Sequence, residues 1–490
     1  MNKIFLLLFF AATIVFSQIS HPHPDSLVFG ELNWKIPDGK AFRKTIGNIP
    51  FYYEKDNSVA LFNLQLSFEA GTLLETPQPK GVATLYSLSI RNGGSGKFSP
   101  AVVDSLLALN AVSISVSLDL TRTDFVVSGL SANMKIALEI LEDILQNPLW
   151  DSSRIALNRA NLSQRTAHRF DNPSALLAAG WRSLIYPDSE FSYLLPVDFP
   201  EKITVSDLEN YHNFVMKNAK MIVAASGDID EKVVRNFVTK NFGRKRGVKP
   251  RELPEILPNE TPTTLVIHKS GLNQAYIATG LPSFKRPDER FYPLTIFNEI
   301  LGGGGFNSRL VSQVRSDAGL TYSIHSQFSS NYKFDGSFRT TLFTKNESAN
   351  HALGLTQRII FETAAEELSF DEVEEKKRQF VLALPSAFRT SEDRTRTFLR
   401  DEFDGRKSNH YIEYEKRLAV ISADSVSTEA RKFFDGKQLF TVIVTDTAEI
   451  KKSPEWNGFS IENLQAKIIS LEDFEKNFGI IATPPLSTIP

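Results

Sequence analysis

The feature that most constrains this chain is an internal repetition. Leu61–Phe68 (LFNLQLSF) alternates apolar and polar side chains like a strand. It then runs through Gly71 and a proline-containing turn into a helical stretch ending at Asn92-Gly93-Gly94. Asn273 to Gly280 (NQAYIATG) repeats the pattern, with Pro282 and Pro287 in the turn and a helix from about Glu289 to Leu301 before Gly302–Gly305. Pro148-Leu149-Trp150-Asp151 opens a helix in the first half as Leu368-Ser369-Phe370-Asp371 does in the second. Ile203–Asp207 matches Ile421–Ser425, each carrying a serine or aspartate N-cap signal, and the strands Met221–Ala225 and Phe440–Thr445 close the two halves. A period of about 215 residues is a domain duplication, because solenoid repeats are roughly 20–45 residues long. Strands and helices mixed within each half predict an α+β fold: two homologous domains, each an antiparallel sheet with helices packed on it.

Around that core the sequence divides into residues 1–17, 18–243, 244–262, 263–450 and 451–490. Lys3 followed by the apolar run Ile4–Phe16 and Ser17 has the form of a secretory signal peptide. The run is shorter than the roughly 20 residues a membrane span needs, so the expected chain is exported, to a periplasm or beyond, without a span. Residues 244–262 begin with Arg244-Lys245-Arg246 and continue with Pro250, Pro254, Pro258 and Pro262, the pattern of an extended linker. The tail after Lys452 has no assignment, with docking and irregular packing both open.

Composition removes several function classes. With 55 basic against 57 acidic side chains there is no field for gripping nucleic acid. The absence of cysteine excludes disulfides, thiolate metal sites and cysteine nucleophiles, so only histidine and carboxylate could hold a metal. Of the 8 histidines only His21 and His23 are near neighbours, and they flank the expected cleavage site. Gly93-Gly94-Ser95-Gly96-Lys97 lacks the spacing of a phosphate loop, and no G-x-S-x-G elbow occurs.

Gly71-Thr72-Leu73-Leu74-Glu75, Gly81-Val82-Ala83, Asn147-Pro148-Leu149, Asp171-Asn172-Pro173, Gly227-Asp228-Ile229-Asp230 and Phe242-Gly243 resemble the first half of the insulinase/pitrilysin-like peptidases. The similarity extends to bacterial relatives of the mitochondrial processing peptidase. Leu301-Gly302-Gly303-Gly304-Gly305-Phe306-Asn307-Ser308-Arg309-Leu310, then Val314-Arg315 and Gly319-Leu320-Thr321-Tyr322-Ser323, resembles the family's C-terminal signature. The resemblance runs from about residue 35 to 450 and implies two homologous domains facing each other across a clam-shell chamber.

Active members of that family carry H-x-x-E-H on a helix, where positions one turn apart share a face and can bind one Zn²⁺, and a further glutamate downstream. This chain offers Thr84, Ser87 and Leu88 at those positions, and Gln164 and Arg165 where the distal carboxylate would stand. The resemblance therefore implies no metal on this chain. It also implies that Arg315 and Tyr322 are the family's substrate-binding pair. Spacing alone favours a surface Arg315 paired with an acid and a core Tyr322. The expected function is a zinc-free, substrate-binding subunit of a heterodimeric exported peptidase. A homologous partner carrying H-x-x-E-H would supply zinc, and peptides or unfolded segments would be the substrate. The alternatives are a non-catalytic scaffold and a peptide-binding protein that acts without a protease.

Overall fold

A computed structural model describes residues 26–27, 34–75, 78–187, 189–243 and 251–478. The expected signal peptide, His21, His23, the basic start of the linker and Pro484-Pro485 lie outside these residues. The described residues from 37 onward form one compact unit.

Among the described residues twelve strands make two six-stranded sheets. The first half supplies β1 (Arg43–Ile46), β2 (Ile49–Lys55), β3 (Leu61–Phe68), β4 (Val112–Leu118), β5 (Thr123–Leu130) and β6 (Met221–Gly227). The second supplies β7 (Thr264–His268), β8 (Gln274–Pro282), β9 (Thr321–Phe328), β10 (Ser337–Lys345), β11 (Phe440–Thr445) and β12 (Lys467–Ser470). The orders β1-β2-β6-β3-β5-β4 and β12-β7-β11-β8-β10-β9 match position by position from the second strand onward. The duplication is thus a repeat of topology.

The sheets are mainly antiparallel, with one correction to the sequence reading. β2 runs parallel to β6, and β7 runs parallel to both β11 and β12. Each parallel pair joins strands distant in sequence, which a long crossover permits and a hairpin forbids. β12 lies in the tail that sequence left unassigned, and the helix following it buries Phe474 against Phe170.

The principal helices, in chain order, are α1 (Val82–Asn92), α2 (Ser152–Ala167), α3 (Pro173–Ile185), α4 (Val205–Asn213), α5 (Phe291–Asn298), α6 (Phe370–Ala383), α7 (Ser391–Asp404) and α8 (Ala423–Phe434). Their starts follow local chemistry. Asp151 accepts a hydrogen bond from the Arg154 N–H at 3.0 Å and caps α2. Reciprocal capping boxes start α4, α6, α7 and α8 from Thr204, Ser369, Thr390 and Ser422. At α4 the cap is the threonine, with Asp207 closing the box, rather than a serine or aspartate.

Two helices cross between the halves. α3, from the first half, packs on β8 and β11 of the second sheet, whereas α7, from the second half, packs on β2 and β6 of the first. The described part of the linker is irregular yet packed: Ile256 is buried, and the Arg251 guanidinium lies 3.8 Å from the Phe214 ring centre.

Candidate functional site

One wall is α1. Gly81, at φ +88°, precedes it, and a Cβ there would stand 2.4 Å from the Phe199 ring, so the approach requires glycine. Glu75 accepts hydrogen bonds from the Gly81 and Ala83 N–H groups, both at 2.9 Å, and so caps the helix with a carboxylate. Burial pushes that carboxyl up to about 7, against the opposing pull of the two amides and Lys80. Val82, Leu85, Tyr86 and Ile90 face the core.

The remaining face carries the three expected positions. Thr84 lines a cavity, Ser87 donates its hydroxyl to the Thr84 carbonyl at 2.9 Å, and Leu88 packs half-buried against the first core. Gln164 and Arg165 lie exposed on α2. α1 and α2 are joined by Asn158, whose amide donates to Ser89 Oγ at 3.0 Å and Asn92 Oδ1 at 3.2 Å. A zinc ion needs three or four imidazole or carboxylate donors here. Leucine has none, and the two hydroxyls are neutral. Among the described residues no group of three histidine or acidic side chains could hold a metal. The donor set does not fit zinc.

The second group of expected residues stands on the glycine-rich segment and the strand after it. α5 continues as a π-helical turn over Glu299–Gly303. A Cβ on Gly302 would fall 2.6 Å from Ser326 Oγ, which explains glycine where the turn meets β9. The chain forms a π-helix over Val311–Asp317, and the Ala318 N–H reaches back to the Gln313 carbonyl at 3.1 Å. Leu310, Val311 and Val314 are buried. Gly319, at φ +63°, ends the turn one residue short of the Leu320 N–H bond to the Val314 carbonyl.

Arg315 and Tyr322 come together at this turn. The guanidinium carbon lies 5.1 Å from the Tyr322 ring centre and 4.8 Å from that of Phe306. Tyr322 is 85% exposed and Phe306 72%. Among the described residues no carboxylate pairs with Arg315, whereas neighbouring Arg309 is held by Glu366 and Glu372, each at 3.1 Å. The arrangement presents a charged forked donor between two aromatic faces, with a phenol beside it at the head of edge strand β9. Phe306 stands inside the quoted signature, yet nothing in its spacing marks it as part of this cluster.

Between the halves lies a cavity of about 690 Å³, lined by Thr84 and Glu75 on one side and by β9 and β10 residues on the other. Arg315 and Tyr322 are not among its lining residues. The sequence-expected residues therefore divide: Thr84 faces inward, while the Arg/Tyr pair is displayed outward. Sequence reasoning missed the cavity, whose lining comes from segments scattered along the chain.

Comparison with known proteins agrees with this geometry. Residues 51–187 match the model described as Insulinase (Peptidase family M16), and residues 202–380 match Peptidase M16 inactive domain, together more than half of the chain. The non-peptidase homolog YmxG of Helicobacter pylori is 24% identical over 376 residues, covering 71% of this chain and 81% of that protein. An uncharacterised zinc protease of Streptomyces coelicolor is 25% identical over 268 residues, covering 52% of this chain and 57% of that protein. This chain thus spans about half the length of that relative. Among solved structures, a peptidase M16 inactive domain from Pseudomonas fluorescens superposes with a TM-score of 0.71 at 20% identity, covering 82% of this chain and 97% of that one. The periplasmic protease PqqL from Escherichia coli gives a TM-score of 0.68 at 14% identity, covering 91% of this chain and 51% of that one.

Proposed function

The chain belongs to the insulinase family as a non-catalytic member, and from that premise we propose that it is the substrate-binding subunit of a heterodimeric exported peptidase. Its homologous partner carries H-x-x-E-H and the zinc, and this chain contributes Arg315 and Tyr322 to the partner's site. The observation that carries the reading is the half-buried Arg315, without a carboxylate partner among the described residues, clasped by the exposed rings of Phe306 and Tyr322. A guanidinium so held is pre-oriented, and its forked donors suit a peptide carbonyl and the oxyanion that forms from it; the Tyr322 hydroxyl adds a compact donor. The edge position of β9 beside them suits an extended peptide, added as a further strand. The match to only half of the PqqL chain supports the same reading, because this chain then corresponds to half of a peptidase assembly. The amino-terminal sequence supports export.

The test is co-expression with an H-x-x-E-H homologue, followed by a peptide-cleavage assay. The chain alone is inactive and the mixture cleaves. Arg315→Ala lowers kcat of the mixture about 100-fold or more without weakening assembly. A partner indifferent to Arg315→Ala leaves only the scaffold role. A second reading, peptide binding without a protease, is favoured by one observation: the cavity is built entirely within this chain.

A further inference from the structure

We propose that the cavity between the two sheets is an anion-recognition site in which Arg182 and Arg339 take a carboxylate group of a bound peptide. The inference rests on the reading that the chain binds peptides, and it adds which peptides.

The two arginines come from opposite halves, Arg182 from α3 and Arg339 from β10, and both line the cavity. Arg339 stands half-buried in the wall and Arg182 more open at its rim, close enough for the charge of Arg339 to act on Arg182. Arg182 spends one donor, Nε, on the Phe191 carbonyl at 3.2 Å. Among the described residues no carboxylate lies within ion-pairing distance of either side chain. The same cavity shows what a charge looks like when its needs are met internally: Lys80 is paired with Glu190 at 2.6 Å. Of the other carboxylates in the lining, Glu75 gives both oxygens to the Gly81 and Ala83 amides, and Asp335 ion-pairs with neither arginine. His325, near Arg339, is pushed down by burial and by that arginine, and a neutral imidazole leaves the guanidinium charge uncompensated.

Two like charges lining one cavity repel each other in the empty protein, and an arriving anion offsets that repulsion. Forked guanidinium donors match a planar carboxylate in a bidentate manner. A volume of about 690 Å³ falls within the range of ligand pockets, and Trp181 and Phe334 supply apolar wall for neighbouring side chains. The carboxylate has two possible sources, an aspartate or glutamate side chain and a peptide C-terminus.

The test uses the full chain without a protease partner and titrates three blocked or free peptides of one sequence by calorimetry. One carries a central glutamate with an amidated end, one carries glutamine with an amidated end, and one carries glutamine with a free carboxylate. The proposal expects at least one carboxylate peptide to bind about tenfold or more tightly than the neutral one, and the winner identifies the source. Arg182→Gln and Arg339→Gln each abolish that preference. Arg339→Gln removes a charge with no hydrogen bond or ion pair among the described residues, so it does not lower the Tm of the unliganded protein, whereas a structural arginine would; Arg182→Gln also loses its bond to Phe191 and is read by the binding preference alone. Equal binding of all three peptides overturns the anion site and leaves peptide binding standing. No binding of any peptide overturns both. A preference that survives both substitutions moves the site elsewhere and also overturns the proposal.

Discussion

The two exchanged helices occupy equivalent places in the duplicated topology and are held by opposite physics. α3 (PSALLAAGWRSLI) presents Leu176, Leu177, Trp181, Leu184 and Ile185 to Leu265, Ile267, Ala278, Val442 and Val444 on the outer face of the second sheet. The contact is so close that a Cβ on Gly180 would stand 2.9 Å from both Ile267 and Val442. α7 (SEDRTRTFLRDEFD) meets a polar face, where Gln65, Ser67 and Ser226 are buried. It is secured by Arg394 bidentate to Glu54 at 2.7 Å, and by Glu402, which receives Arg43 at 2.8 and 2.9 Å and the Tyr52 hydroxyl at 2.6 Å. Phe398 is the apolar anchor, stacked on Phe42 at 5.4 Å. One helix is held by area removed from water and the other by charge geometry, so the two junctions should respond differently to the same perturbation.

The largest difference is expected on truncation. Leu176→Ala removes a fully buried side chain from the apolar junction and should cost about 2–5 kcal/mol in urea denaturation, independent of salt. Acidity should separate the junctions next. Burial alone would raise the Glu402 carboxyl, but the Arg43 and Tyr52 hydrogen bonds outweigh it and hold it below the usual range. Its contribution is therefore present above the ordinary glutamate pKa and is lost as pH falls through the depressed value. Asp401 on the same helix runs the other way, since burial pushes it up to about 6. Stability should first rise as pH drops from 7 toward 5, because protonation relieves the buried Asp401 carboxylate by more than it loses in the 2.9 Å ion pair with Arg406. It should then fall below pH 4, with hydrogen exchange quickening in α7 before α3. Equal exchange in both helices at low pH would break the comparison. The smallest effect is Arg394→Lys, which keeps the charge and loses the fork. It should cost about 0.5–1 kcal/mol, more at low salt than at high, with no counterpart in α3.

The sequence carried what is local. Thr204 with Asp207 and Ser422 with Ser425 announce their helices because a cap is a short-range hydrogen bond. β3 and β11 show in their apolar runs, and the glycine-rich turn shows because only glycine fits against Ser326. The pairing of Arg315 with Tyr322 was legible only through the family resemblance, because their spacing alone favours a surface arginine and a core tyrosine. What depends on which distant surface a segment covers was not legible. Nothing in the composition of α3 says that it shields β11 rather than its own sheet. The parallel pairing of β2 with β6 is equally hidden, as is the meeting of Arg182 with Arg339, because each is decided by the folded chain as a whole.

The helix exchange alters what the proline-rich connection means. A chain cut between the two halves would not release two finished modules. The first fragment would carry an apolar helix with nothing to cover, and the second would expose Ile267, Val442 and Val444 to water. A protease nick there should leave both pieces clasped together as one particle on a sizing column. The place where the gene was copied is not the place where the molecule comes apart.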